Sequence, residues 1–303
     1  MKVLPAVMSA LDLCLGRPGP LGGALHPRLS TALLKASVLE LTVLAGHLLL
    51  YPSGIRQERH RPPHHPDDSA ALVARGEAQG DAAVPPRLPN PTSERPVVLL
   101  HGFIDNRSVF VLLRRALAKE GRQHLTSLNY SPLTGDIRAA AELLGRHVEE
   151  ICARTGQQAV DIVGHSLGGL IARYYVQRLG GDIRVRTLVT LGTPHGGTPV
   201  VPVLNAHPIV RQMRPDSDVI AELREPAPHC RTRFVSFWSD LDPLMAPLEA
   251  ACVDHPDLHA QNVRVTGIGH LALPVHPAVA AGVRQAIDTE EEIAHMTGSA
   301  SVA

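Results

Sequence analysis

The chain has 303 residues, 44% of them apolar, and its 29 Lys and Arg balance its 29 Asp and Glu. That length allows one large domain, or one domain with an appendage, around a sizeable core. The neutral balance excludes the basic surplus of a nucleic-acid binder and the acidic surplus of a solvating chain. The four cysteines, Cys14, Cys152, Cys230 and Cys252, form no C-x-x-C pair, which removes a zinc ribbon or a thioredoxin-like redox site. Cys230 and Cys252 flank a predicted strand and loop and are the pair a disulfide would join in an exported chain.

The first predicted element is the apolar stretch 33–51, LLKASVLELTVLAGHLLLY. It approaches the length of a membrane span, but Lys35, Glu40 and His47 interrupt it, and charge at mid-bilayer depth is costly. It starts too far in, with no clear cleavage site after it, for a simple secretory signal. Three readings stand: an uncleaved anchor, a helix lying on a membrane, or a helix packed on the domain. They make the expected localisation membrane-associated or secreted, with a cytoplasmic site still open. Residues 1–55 are read as this N-terminal helical segment. Residues 56–93, rich in Pro, His and charge, read as a linker. Its His60, His64, His65, Asp67 and Asp68 are expected to be a solvated polar tract, because no secondary structure fixes them in a metal-binding geometry.

From residue 94 to 295 the pattern alternates, with 296–303 left as a tail. Predicted strands are 96–101, 125–130, 159–164, 185–192, 232–238 and 262–268; predicted helices are 107–120, 136–154, 167–180, 217–224 and 277–295. Short apolar runs between helical patterns argue for a mostly parallel, doubly wound α/β sheet with helices on both faces. Residues 194–230 are long and Pro-rich and read as a short cap or lid above the carboxyl edge of the sheet. There Val200, Val201, Val203, Leu204, Ile209 and Val210 are candidates for an acyl pocket or for core.

The stretch AVDIVGHSLGGLIARYY places Gly164-His165-Ser166-Leu167-Gly168 between a strand and a helix. A serine at the tip of such a turn presents its hydroxyl in a strained backbone. Flanking glycines remove side chains that would collide there. The helix that follows offers free N–H groups and a dipole favourable to negative charge.

Three partners are needed. In PVVLLHGF, His101-Gly102-Phe103 follows a strand, and the Phe103 amide is placed to be an oxyanion donor beside that of Leu167. An acid must follow a later strand. Asp240 and Asp242 in FVSFWSDLDPLMAP both satisfy the spacing; the small residue three before Asp242 and the apolar pair after Pro243 favour Asp242. A base must follow the last strand. His270, beside Gly269, is favoured over His276, which precedes Pro277 and the final helix, and over His101, which sits in a structural motif. The order Ser166, Asp242, His270 is that of the α/β-hydrolase layout.

With VVLLHGFIDNRSVF, VDIVGHSLGGLIARYY, TLVTLGTPHGGTP, SDLDPLMAP and VTGIGHLAL, residues 94–290 resemble bacterial α/β-hydrolase lipases and esterases of the actinobacterial triacylglycerol-lipase type. The resemblance implies Ser166 as nucleophile, Asp242 as acid, His270 as base and the Phe103 and Leu167 amides as oxyanion hole. It also implies that Leu191 to Gly197 shape the acyl pocket wall. Met245 departs from the Val such lipases often carry, and the N-terminal ninety residues do not match a simple cleaved signal. The expected reaction is hydrolysis of a small-molecule or lipid ester through an acyl-enzyme, with no metal or organic cofactor called for. Acyl transfer by the same residues, and a membrane-associated binding protein that keeps the fold, are the rival readings.

Overall fold

The computed structural model of the chain describes residues 27–54, 94–103, 105–130, 135–199 and 207–299. Six strands form one sheet: β1 (Val97–Leu100), β2 (Leu125–Leu128), β3 (Val160–His165), β4 (Val185–Leu191), β5 (Arg233–Ser239) and β6 (His259–Val265), in the spatial order β2-β1-β3-β4-β5-β6. Every pairing is parallel. A parallel sheet buries both faces, and the side-chain period of two sorts one strand into two cores. Val98 and Leu100 enter one apolar cluster and Val97 and Leu99 the other. Each such buried side chain is worth roughly 1.5–3 kcal/mol.

The first cluster is closed by α3 (Ile137–Thr155) and α4 (Leu167–Arg178), the second by α2 (Val111–Lys119) and α7 (Pro277–Ser299). The start of α3 is capped by Asp136, whose side chain accepts from the Arg138 amide at 2.8 Å, and the helix stops at Gly156 in the left-handed region, φ 72°. From β1 the chain moves outward to β2, then returns to place β3 on the other side of β1. The carboxyl ends of β1 and β3 therefore diverge into a crevice, where ligands bind in such sheets.

The structure departs from the sequence reading in places. Strand β6 begins at His259, three residues before the predicted start. Its first four residues are exposed at the sheet edge, so no apolar run marks them. The predicted helix 107–120 opens as a tight turn at Arg107–Phe110 before α2. In 194–230 the described helices are α5 (Pro208–Arg211) and α6 (Asp218–Glu222). Their Ile209, Val210, Val219 and Ile220 belong to the first core cluster, so these two helices are packed on the body. Val200, Val201, Val203 and Leu204 lie outside the described residues, as do the 56–93 stretch and Cys14. Helix α7 runs to Ser299, into the segment read as a tail. The Cys230 and Cys252 thiols are free.

The N-terminal stretch is one long helix, α1 (Pro27–Gly54), docked on the body. Its last carbonyls have no partner within the helix, and the body supplies donors. Asn106 Nδ2 donates to Tyr51 O at 2.9 Å, Arg107 Nη2 to Ser53 O at 3.2 Å, and Asn129 Nδ2 to Gly54 O at 2.7 Å. A Cβ on Gly54 would lie 1.9 Å from Asn106 Oδ1, so the close seating requires glycine there.

Candidate active site

Ser166 lies between β3 and α4 with φ 52° and ψ −120°, the one non-glycine residue with positive φ among the described residues. A β-carbon there is strained by about 1–3 kcal/mol, so the surroundings must hold it. The Ser166 amide donates to Leu191 O at 2.9 Å, and Ser166 O accepts from the Gly169 amide and from Thr193 Oγ1. A Cβ on Gly168 would sit 2.4 Å from Leu100 O, and one on Gly164 would sit 2.6 Å from the Gly169 backbone. Backbone meets backbone at both points. The two glycines are thus the condition for α4 to start directly under the serine.

His270 follows β6 through a short loop and is 3% exposed. Its Nδ1 is 2.7 Å from Asp242 Oδ2. The other oxygen of Asp242 accepts from the Leu244 amide at 2.9 Å, so the carboxylate is fully engaged. Gly192 lies between them and the serine turn: a Cβ there would be 3.0 Å from His270 Nδ1 and 3.1 Å from Asp242 Oδ2. Burial pushes the His270 imidazole down, but Asp242, with Glu40 and Asp105 beyond it, more than offsets this and holds its pKa above the ordinary value. Ser239, the small residue before the acid, ties the two loops together. Its hydroxyl donates to Ile268 O at 2.5 Å and accepts from the Leu241 amide.

The other candidates fall elsewhere. Asp240 pairs with Arg264 at 2.9 Å on the surface and accepts from the Gly267 amide. His276 lies at the start of α7, where its carbonyl accepts from the Ala280 amide. His101 is buried, its ring stacked 4.3 Å from that of Tyr130.

Phe103 and Leu167 flank the serine. A Cβ on Gly102 would be 3.4 Å from Ser166 Cβ, so the 101–103 loop abuts the turn. Tyr130, which sequence reasoning missed, sets the loop's peptide planes. Its hydroxyl is shared between His101 O at 2.5 Å and Gly102 O at 2.9 Å, and His101 Nδ1 lies 2.8 Å from Gly102 O. With the Gly102 carbonyl held on that side, a trans peptide turns the Phe103 N–H to the opposite side.

Also missed is a buried cluster under the turn. Asp105 Oδ2 is 3.3 Å from His165 Nδ1, and Asp105 Oδ1 is 3.9 Å from His47 Nδ1 on α1. Burial pushes the Asp105 carboxyl up, but the surrounding histidines, His165 foremost, hold it below its ordinary value. His165 Nε2 approaches His270 O at 3.3 Å, joining this cluster to the histidine loop. The 191–197 loop is braced from α4, where buried Arg173 donates to the carbonyls of His195 and Leu223. Among the described residues no group of His, Cys, Asp and Glu is arranged to hold a metal ion.

A parallel sheet whose β3 leads into a positive-φ serine above a helix, with an Asp–His pair delivered by the loops after β5 and β6, decides the architecture. The fold is that of the α/β-hydrolases. Residues 96–240 match the family model described as palmitoyl protein thioesterase. A triacylglycerol lipase of Pseudarthrobacter phenanthrenivorans is 30% identical over 110 residues, 34% of each chain. The chain thus covers about a third of the length of the curated relatives it matches. Aspergillus fumigatus lipase B superposes with a TM-score of 0.60 at 16% identity, covering 93% of this hydrolase-fold chain and 75% of that one. The mature form of a Bacillus licheniformis lipase superposes with a TM-score of 0.55 at 14% identity, covering 66% and 95%.

Proposed function

We propose that the protein hydrolyses carboxylic esters of lipids through an acyl-enzyme on Ser166. The 2.7 Å contact of His270 Nδ1 with a buried Asp242, behind a serine in a strained turn, carries this reading. Asp242 fixes the tautomer that leaves His270 Nε2 free to take the hydroxyl proton, and stabilises the imidazolium that results. Ser166 Oγ then forms a bond to the ester carbonyl carbon, and the carbonyl oxygen becomes an oxyanion held by the amides of Phe103 and Leu167. Collapse breaks the C–O bond, with His270 giving its proton to the departing alcohol. Water, deprotonated by His270, reverses the sequence and releases the acid.

The triacylglycerol and palmitoyl groups named for the matching lipase and family support an acyl ester of a lipid, and the palmitoyl group a long acyl chain. A second observation supports a lipid surface. The outer side of helix α1 is largely apolar, although Ala36, Leu39 and Val43 also face the body and Lys35 faces out. Glu40 and His47 point inward, whereas Leu34, Val38, Leu48 and Leu49 point outward, Leu49 being 82% exposed. Thr42 on the outer side folds its hydroxyl back to Val38 O at 2.8 Å. The segment Leu34–Gly54 is long and apolar enough to cross a membrane, but one side of it is committed to the domain. We read it as lying along a bilayer, which brings the site to its substrate.

The test is hydrolysis of p-nitrophenyl esters from C2 to C16, with and without lipid vesicles. The expected result is a long-chain optimum and co-sedimentation with vesicles that Leu48→Ser with Leu49→Ser abolishes. An inactive wild type that transfers acyl groups to an added alcohol would replace hydrolysis by transfer; inactivity in both assays would leave a binding protein.

A further inference from the structure

We infer that Glu40, on the N-terminal helix, is a positioning residue for His270: its carboxylate holds the backbone that carries the imidazole. The inference rests on the reading of His270 as general base. Glu40 is 5% exposed. Its Oε2 accepts from the Leu271 amide at 2.9 Å and its Oε1 from the Ala272 amide at 2.8 Å. These are the two amides that follow His270 in the chain. On the other side of the histidine, a Cβ on Gly269 would lie 2.5 Å from Glu40 Cδ. The loop therefore closes around one carboxylate, with a contact immediately before His270 and two hydrogen bonds immediately after it.

A carboxylate is an expensive way to attach a helix. Burying it is costly unless its oxygens are paired, and an apolar side chain would dock α1 without that cost. What the carboxylate adds is a bidentate grip on two amides of an irregular loop, which have no strand or helix partner of their own. It also adds a negative charge felt at the imidazole. The charged and titratable groups around His270 are Asp242 from the loop after β5, Asp105 from the loop after β1, His165 with its ring 4.8 Å away, and Glu40 from α1. Asp242 supplies the direct partner, and Glu40 sets where the backbone puts the ring. A shift of about 1 Å in a reacting group can cost ~10²-fold in rate.

The experiment uses the full chain. Glu40→Ala, Glu40→Gln and, as a control on the exposed side of the same helix, Lys35→Ala are compared with wild type on p-nitrophenyl butyrate. kcat, KM, the pH profile of kcat/KM and the melting temperature are measured. Glu40→Ala is expected to lose ~10²-fold in kcat with KM within about threefold. Glu40→Gln keeps one acceptor and is expected to lose less. In both, removal of the negative charge lowers the His270 pKa and moves the acid limb of the profile to lower pH. A residue that only docked the helix would lower the melting temperature without a matching loss of kcat in the folded protein. Should Glu40→Ala melt below the assay temperature, the near-isosteric Glu40→Gln decides. Wild-type kcat and an unmoved acid limb in a folded Glu40→Gln would overturn the inference. His270→Ala retaining full activity would instead remove the base assignment beneath it.

Discussion

Ser166 and His270 both lie against the Leu191–Gly192 segment, yet the serine turn is held mainly by backbone contacts and the histidine loop by carboxylate side chains from elsewhere. Around Ser166 the determinants are amide-to-carbonyl bonds with Leu191 and Gly169, one hydroxyl from Thr193, and the glycines two residues to either side. Around His270 they are Asp242, 28 residues away, and Glu40, 230 residues away, both engaged through carboxylate oxygens. The serine turn is fixed once β1, β3, β4 and α4 pack together. A loop assembled from remote parts depends on every part arriving, and it is also the part whose charge can be tuned.

Substitutions can break or sharpen this contrast. Ser166→Ala, measured on a p-nitrophenyl ester, is expected to lower kcat by on the order of 10⁶-fold with the fold intact. Asp242→Asn, which keeps the shape and disturbs the tautomer, is expected to cost ~10⁴-fold. The turn itself gives way differently. Gly168→Ala drives a Cβ against the carbonyls of Leu100 and His101, so it should destabilise by about 1–3 kcal/mol, read as a lowered melting temperature. Tyr130→Phe frees the Gly102 peptide and should lower kcat by roughly tenfold, short of the cost of losing a whole oxyanion donor. Asp240→Ala, which breaks an exposed ion pair, should change activity less than about twofold and stability by under ~1 kcal/mol. The pH profile adds a sign. A base whose pKa is held above ~6.5 must be neutral to act, so kcat/KM should fall as pH drops through a value above 6.5, and Asp242→Asn should move that limb down.

The same contrast explains what the sequence revealed. The serine turn was readable because its chemistry is written in five consecutive residues between a strand and a helix. Five of the six strands were placed within a few residues because each is an apolar run. The polar edge of β6 was not, because an exposed edge has no apolar signature. Between Asp240 and Asp242 spacing alone left a choice, and Ser239 with its tie to Ile268 is the physical reason the second carboxylate turns inward. Tyr130 carries no motif; only folding brings its hydroxyl to the 101–102 carbonyls. Glu40 and His47 were visible, but as interruptions in a candidate membrane segment. Seven residues apart, they fall on one side of a helix, and ionisable groups in an apolar helix normally turn toward protein. That spacing was the available signal for the docking face.

The central claim is that Ser166 is a nucleophile activated by His270, and fluorophosphonate labelling tests it most directly. The account predicts one adduct per chain by intact mass, located on the peptide carrying Ser166, and labelling slowed by on the order of 10³-fold or more in His270→Ala. An unlabelled Ser166, or a labelling rate indifferent to His270, would contradict it.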